Sequence, residues 1–261
     1  MESTTAASIL PLFLSGFVMV YIIAYFVVFR RWSPKIRPDA ASCAISLAHG
    51  MPAVLLAAHA LMIKGGDQHH FGEKNSESEE MVLDFSIAYF VADLGHLVLF
   101  SPADVLFIGH HVATTYVFAT CRYLVGYGAT AILQLLIIAE ITSGVQNVWT
   151  LAAARKAEVA VAERVYKVLS PLFYVAYTVA RGVVGPAVIW EMGAFYWGSG
   201  GGGGVIPMWL WVSWMVVIVA AVLVSQLWIL NLWLVWFGER SGGNKSQMKV
   251  KLNDSLIFSC N

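Results

Sequence analysis

Val105-Leu-Phe-Ile-Gly-His-His-Val-Ala-Thr-Thr-Tyr-Val-Phe-Ala119 reads as a hydrocarbon-compatible run interrupted by His110, His111 and Thr114. An ionisable side chain at bilayer depth is costly and rare, so a histidine pair in such a run reads first as a functional site. The preceding apolar run strengthens the reading. Tyr89, Asp93 and His96 stand there at i, i+4 and i+7, a spacing that puts all three on one face of a helix.

Composition sets the class. The 261 residues are 59% hydrophobic and 12% charged, with ten Trp and a mean hydropathy of +0.70. Soluble domains are about 45–50% apolar and about 25% charged, so the expected fold class is an all-α integral membrane protein. The formal net charge is zero and no basic patch interleaves with aromatics, which argues against a nucleic-acid partner. Cys43, Cys121 and Cys260 lack the regular spacing of a disulfide framework or a thiolate zinc site. The opening run is too long for a signal peptide and has no basic residues before it, so it reads as a first span.

Seven segments approach the ~20 residues needed to cross a bilayer. They are Ile9–Phe29, Cys43–Ile63, Met81–Phe100, Ala103–Tyr123, Gly128–Leu151, Val165–Trp190 and Pro207–Phe237. Ser101-Pro102 marks a tight turn between the third and fourth, because proline disfavours helix in the residue before it. Three units follow: 1–39, a first transmembrane helix with a basic cytosolic loop; 40–237, a six-span domain; and 238–261, a basic cytosolic tail.

With seven alternating spans, the basic residues gather on one side. Arg30, Arg31, Lys35 and Arg37, then Arg155, Lys156, Arg164 and Lys167, then Arg240, Lys245, Lys249 and Lys251 all fall there. The other side has an acidic loop with Glu73, Glu77, Glu79 and Glu80, and a glycine run from Gly200 to Gly204, read as a loop. Positive residues stay inside, so the N-terminus is expected outside or lumenal and the C-terminus in the cytosol. The sequons at Asn244 and Asn253 should then stay unglycosylated.

That topology gives the polar residues depths. Asp93 and His96 fall in the cytosolic half of the third span, and His110 and His111 at a similar depth in the fourth. The fifth carries Glu140, Ser143 and Asn147 at i, i+3 and i+7, the sixth Tyr174, Tyr177 and Arg181, and the seventh Gln226 and Asn231. Unpaired polar groups in lipid cost several kcal/mol, so these groups should face each other or a water-containing cavity.

Alternatives stay open for each. The His pair serves interhelical hydrogen bonding, a lipid headgroup or catalysis. Asp93 is either neutral and bonded to a neighbour, or paired with His96 or His110. Glu140 pairs with Arg181 as a structural ion pair, and Asn147 and Asn231 read as packing amides. His49 and His59 read as packing or interfacial residues, His69-His70 as a solvated loop pair, and Trp228, Trp233 and Trp236 as an interfacial belt. Of seven histidines only His96, His110 and His111 could converge, with Asp93, on an ion, and no metal is expected. A proton-coupled transporter would suit buried acids in glycine-interrupted helices, but no inverted repeat is visible.

The run His110-His-Val-Ala-Thr114, preceded by Tyr89-Phe-Val-Ala-Asp93, resembles the TLC-domain family, which includes the ceramide synthases. Glu140-Ile-Thr-Ser143 with Asn147, Arg181-Gly-Val-Val-Gly-Pro186 and Asn231-Leu-Trp-Leu-Val-Trp236-Phe237 are similar to its smaller members. The resemblance spans roughly Ala40 to Phe237. It implies a barrel of six helices around a tunnel, an additional helix ahead of it, and residence in the endoplasmic reticulum or another endomembrane. It also implies a membrane lipid, sphingolipid or related, as partner, no bound cofactor, and acyl-CoA as co-substrate; a homo-oligomer is compatible with it.

In ceramide synthases the His pair serves acyl transfer from acyl-CoA to a sphingoid amine. By that resemblance His110, His111, Asp93 and Glu140 are the catalytic candidates, with Tyr89, His96, Thr114, Ser143, Asn147, Arg181 and Asn231 binding lipid or supporting them. A neutral imidazole is suited to take a proton from an attacking amine, and a carboxylate to orient it. The chain departs from the ceramide synthases further on. Their His-Asp is absent, and Ile138-Ala-Glu-Ile141 stands in its place, so Glu140 substitutes for one of two acids. The rival reading is a non-catalytic lipid-binding, lipid-transfer or sensing protein that uses the same residues to grip a headgroup.

Overall fold

The computed structural model describes residues 9–65 and 71–240. His69-His70 and the tail beyond residue 240, with both sequons, lie outside the described residues. Among the described residues the chain is helical, and a single bridge between Lys74 and Tyr127 is its only β contact.

Among the described residues nine helices run in order: α1 Leu10–Ile23, α2 Arg37–Lys64, α3 Glu77–Phe100, α4 Val105–Ala119, α5 Ala129–Glu140, α6 Ser143–Arg155, α7 Ala160–Tyr177, α8 Gly185–Gly203 and α9 Met208–Arg240. Six stretches of the described residues are long and apolar enough to cross a membrane: Leu10–Val28, Arg37–Lys64, Glu77–Phe100, Ala129–Arg155, Ala160–Gly198 and Met208–Gly238. The remaining expected span is α4, 15 residues that six more in a wide turn extend to Val125.

Local chemistry explains where the ends fall. Pro38 sits in the first turn of α2, where its missing N–H has no partner to lose, so that helix starts ahead of the apolar run. Asp39 in the first turn and Lys64 in the last complement its dipole. For α3, Ser76 and Glu79 form a reciprocal capping box. The helix breaks at Ile141–Thr142 between α5 and α6, which splits the expected fifth span. The glycine run read as a loop is instead helical through Gly203, and the chain turns at Gly204 with φ 83°. Glycine is a poor helix former in water, but apolar surroundings offer the backbone no other hydrogen-bond partner.

Three segments widen to i→i+5 bonding: Ala24–Val28 after α1, Thr120–Val125 after α4, and Thr178–Val184 between α7 and α8. Such wide turns concentrate at functional positions. The last one carries Arg181.

Neighbour relations close a ring of six spans. α2 packs on α3, α3 on α4, α4 on α9, α9 on α7 and α8, α7 on α6 and α8 on α5, and both α5 and α6 return to α2. α1 leans on α3 and α2 from outside the ring. The buried stripe Ser42, Ser46, His49, Gly50, Ala53, Ala57 and Ala60 explains why α2 sits so centrally. Small side chains let neighbouring backbones approach, the usual basis of close helix packing in membranes.

The two ends of the ring differ. At one end Arg37 donates to the carbonyls of Arg30 and Trp32, and the Arg155 guanidinium lies 5.1 Å from the Trp32 ring, so the α1–α2 and α6–α7 connections meet in a basic cluster. At the other, the Asn75 side chain donates to the Cys121 carbonyl at 3.1 Å and accepts from the Ala129 N–H at 3.0 Å. Lys64 there bonds buried Glu79 at 2.8 Å, and Glu79 accepts from Thr130 at 2.7 Å.

Trp228 and Trp233 are half-buried against the protein. Trp228 packs edge-on against Tyr177 at 4.7 Å, and the Trp233 indole donates to Thr178 Oγ1 at 3.0 Å. Both join the aromatic cluster of α6, α7 and α9 around Trp149 and Phe173.

Candidate functional site

Position 111 is fixed from two sides. His111 Nδ1 lies 2.9 Å from the Phe107 carbonyl one turn earlier, and a carbonyl only accepts, so Nδ1 carries a hydrogen. Nε2 stands 2.9 Å from Asp93 Oδ2, out of line for a good hydrogen bond, with both side chains buried. Ser42 of α2 donates to the other carboxylate oxygen at 2.5 Å.

A second acid–imidazole pair lies along α2. His49 Nδ1 stands 3.8 Å from Glu140 Oε2, its Nε2 3.2 Å from Ser86 Oγ, and Ser143 lies beside Glu140. Hydroxyl, imidazole and carboxylate thus follow one another as in hydrolytic triads, but Ser86 is fully buried and unavailable to a substrate. Asn147 ties the broken helix to α2, donating to Ser46 Oγ at 2.8 Å and to the Ser143 carbonyl at 2.9 Å.

Tyr89 connects the two pairs. Its ring stacks on His49 with centroids 4.1 Å apart and planes within 7°, and lies 6.4 Å from the His111 ring. The result is a continuous buried seam from Ser42, Asp93 and His111 through Tyr89 to His49, Glu140, Ser143 and Asn147.

Gly50 makes the seam compact. A Cβ there would overlap Ser143 Oγ and come within 3.1 Å of Glu140 Oε2.

His110 behaves differently from its neighbour. It is half-buried, on the same helical face as half-buried Thr114, and lies within electrostatic reach of Arg181 and Glu140 across the ring. Arg181 donates to the Ala139 carbonyl at 2.6 Å, at the C-terminal end of α5, and its guanidinium lies 5.0 Å from the Tyr177 ring.

Several pairings differ from expectation. Asp93 meets neither His96 nor His110; its partner is His111. His96 accompanies Asp93 on its helix but turns away to Tyr21 Oη at 3.1 Å and Asp39 at 3.6 Å, where it ties α1 to the ring. Glu140 faces His49 at 3.8 Å, and Arg181, within electrostatic reach of Glu140, donates to the Ala139 carbonyl. Asn231 is half-buried on α9 and joins none of the seam's hydrogen bonds among the described residues. His49, Ser42, Ser46 and Ser86 were missed as site residues. Their signal was the i, i+4, i+7 spacing of Ser42, Ser46 and His49, which resembles packing glue in any apolar helix. Among the described residues no three His, Cys, Asp or Glu side chains gather at metal-ligand spacing.

Apolar spans closing around buried histidine–carboxylate pairs define a multi-pass helical membrane protein with an intramembrane polar site. The profile of the TLC domain matches residues 39–237, and a TLC domain-containing protein of Arabidopsis thaliana is 54% identical over 245 residues, covering 93% of this chain and 95% of that protein. The chain belongs to the TLC-domain family. No solved structure matches it.

Proposed function

We propose that this protein acts on a membrane lipid by transferring an acyl group from acyl-CoA to a lipid amine, with His110 as the base. The supporting observation is the division of labour within the pair: His111 is buried, bonded through Nδ1 to the Phe107 carbonyl and facing Asp93 with Nε2, whereas half-buried His110 remains available. The amine nitrogen attacks the thioester carbonyl, an N–C bond forms and the C–S bond breaks. His110 accepts the amine proton and returns it to the departing thiolate, giving an amide and free thiol. Asp93 orients His111, and His111 fixes the backbone that presents His110.

A second reading has one observation in its favour. Asp93 faces His111 and accepts from Ser42, and Glu140 faces His49, so neither acid is spent on orienting His110. An imidazole without an orienting acid suits grip on a headgroup, and the protein would then bind or sense lipid without turning it over.

Residence in the endoplasmic reticulum or a related endomembrane, a lumenal N-terminus and a cytosolic C-terminus belong to the same proposal. The meeting of the α1–α2 and α6–α7 basic connections at one end supports that orientation. The site lies nearer this end, since Ser42 is one turn into α2. A 40–237 catalytic unit, with 1–39 and 238–261 as attachments, completes it.

Purified full-length protein supplied with palmitoyl-CoA and a panel of lipid amines should yield amide product by mass spectrometry, and His110→Ala should lose it. Co-purifying intact lipid without turnover in either form selects the binding reading. Turnover and bound lipid both unchanged in His110→Ala sink the proposal.

A further inference from the structure

Arg181 lies within electrostatic reach of Glu140 and His110, but among the described residues no carboxylate is in ion-pair contact with its guanidinium, whereas Asp93 and Glu140 each face a histidine. Of its five N–H donors the protein satisfies one, through Ala139; Nε is buried without an acceptor, and the Tyr177 ring covers one face. The wide turn Thr178–Val184 places it there, and Gln226 of α9 braces that turn by donating to the Arg181 carbonyl at 3.0 Å.

A guanidinium at membrane depth is expensive unless it meets an anion, and its planar fork suits a phosphate. His110 and half-buried Thr114 share the ring interior with it, so an anion held by Arg181 would place the attached chain beside His110.

We infer that Arg181 is the anchor for a phosphate-bearing headgroup of the lipid that His110 acts on. This rests on the lipid reading above and narrows it from any lipid amine to an amphiphile that carries a phosphate. Among the described residues each buried acid lies against an imidazole and neither contacts Arg181, so the guanidinium fork is left for an external anion.

The test uses the full-length chain in detergent micelles, with thermal unfolding followed by tryptophan fluorescence. Three probes are titrated: palmitoyl lysophosphatidic acid, monopalmitoylglycerol and inorganic phosphate. Lysophosphatidic acid should raise the unfolding midpoint, while monopalmitoylglycerol and inorganic phosphate should not. Arg181→Gln should weaken the lysophosphatidic acid response by about tenfold, the worth of one charge-assisted contact. Arg181→Lys, which keeps the charge and the fold but loses the fork, should also bind more weakly.

An equal response to the neutral amphiphile, or unchanged affinity in Arg181→Lys, overturns the assignment. An equal response to inorganic phosphate overturns the lipid as its source. Acyl transfer measured on the same samples separates the two ideas. Turnover without a lysophosphatidic acid response removes the headgroup anchor alone, and the response without turnover removes acyl transfer alone.

Discussion

The rings of His110 and His111 stand at 84° with centroids 5.7 Å apart, and that divergence gives adjacent residues separate environments. His111 points into the bundle at Asp93 and the Phe107 carbonyl, while His110 points along the face of Thr114. A helix advances about 100° per residue, so two consecutive side chains cannot share one face. The pair therefore supplies one fixed and one available imidazole.

This predicts opposite phenotypes. His111→Ala leaves Asp93 buried without its imidazole and should cost about 3–5 kcal/mol. His110→Ala should change stability by less than about 1 kcal/mol yet lower any acyl transfer by at least about a hundredfold. Equilibrium unfolding in mixed detergent micelles and a turnover assay on the same preparations check both. Equal destabilisation by the two variants would contradict the division.

At Gly50 the prediction is steric. Gly50→Ala should destabilise by about 1–3 kcal/mol through overpacking against Ser143 and Glu140, and Ser143→Gly in the same chain should recover part of the loss. Gly16→Ala, with nothing within 4 Å of the added Cβ, is the control and should be neutral.

Asn75 offers a test at the far end. Its side chain serves the Cys121 carbonyl and the Ala129 N–H together. Asn75→Ala should cost about 1–3 kcal/mol, because the Ala129 N–H loses its acceptor and the Cys121 carbonyl keeps only the Gly126 N–H. Lipid binding per folded molecule should stay at the wild-type value, since the site lies towards the other end. A loss of binding in the folded fraction would show that the ends are coupled.

Orientation is checked by cysteine labelling in a Cys260→Ser background. Gln68→Cys should react with a membrane-impermeant maleimide only after the organelle membrane is opened. Lys245→Cys should react once the plasma membrane alone is permeabilised. The reverse pattern inverts the topology.

Much of this was legible in the chain. Hydropathy marked every apolar run, and periodicity marked Tyr89 and Asp93 as one face and Glu140, Ser143 and Asn147 as another. Boundaries were less legible where chemistry outside the apolar run set them, as with Pro38 ahead of α2 and the Ser76–Glu79 box ahead of α3. Pairings were least legible. Asp93 and His96 share a helix three residues apart, yet one serves His111 inside the ring and the other Tyr21 on α1 outside it.

Sequence alone determined the membrane class, the approximate spans and the helix faces that carry polar groups, because these depend on sums and spacings along one continuous chain. Tertiary structure alone decided that Asp93 meets His111, that Glu140 meets His49, and that Arg181 keeps donors to spare. The physical reason is rotation: spacing fixes which residues share a face, whereas packing between helices fixes what that face meets. The run from Val105 to Ala119 announced a buried histidine pair, and the packing of α4 against α3 separated its members into one that is held and one that is available.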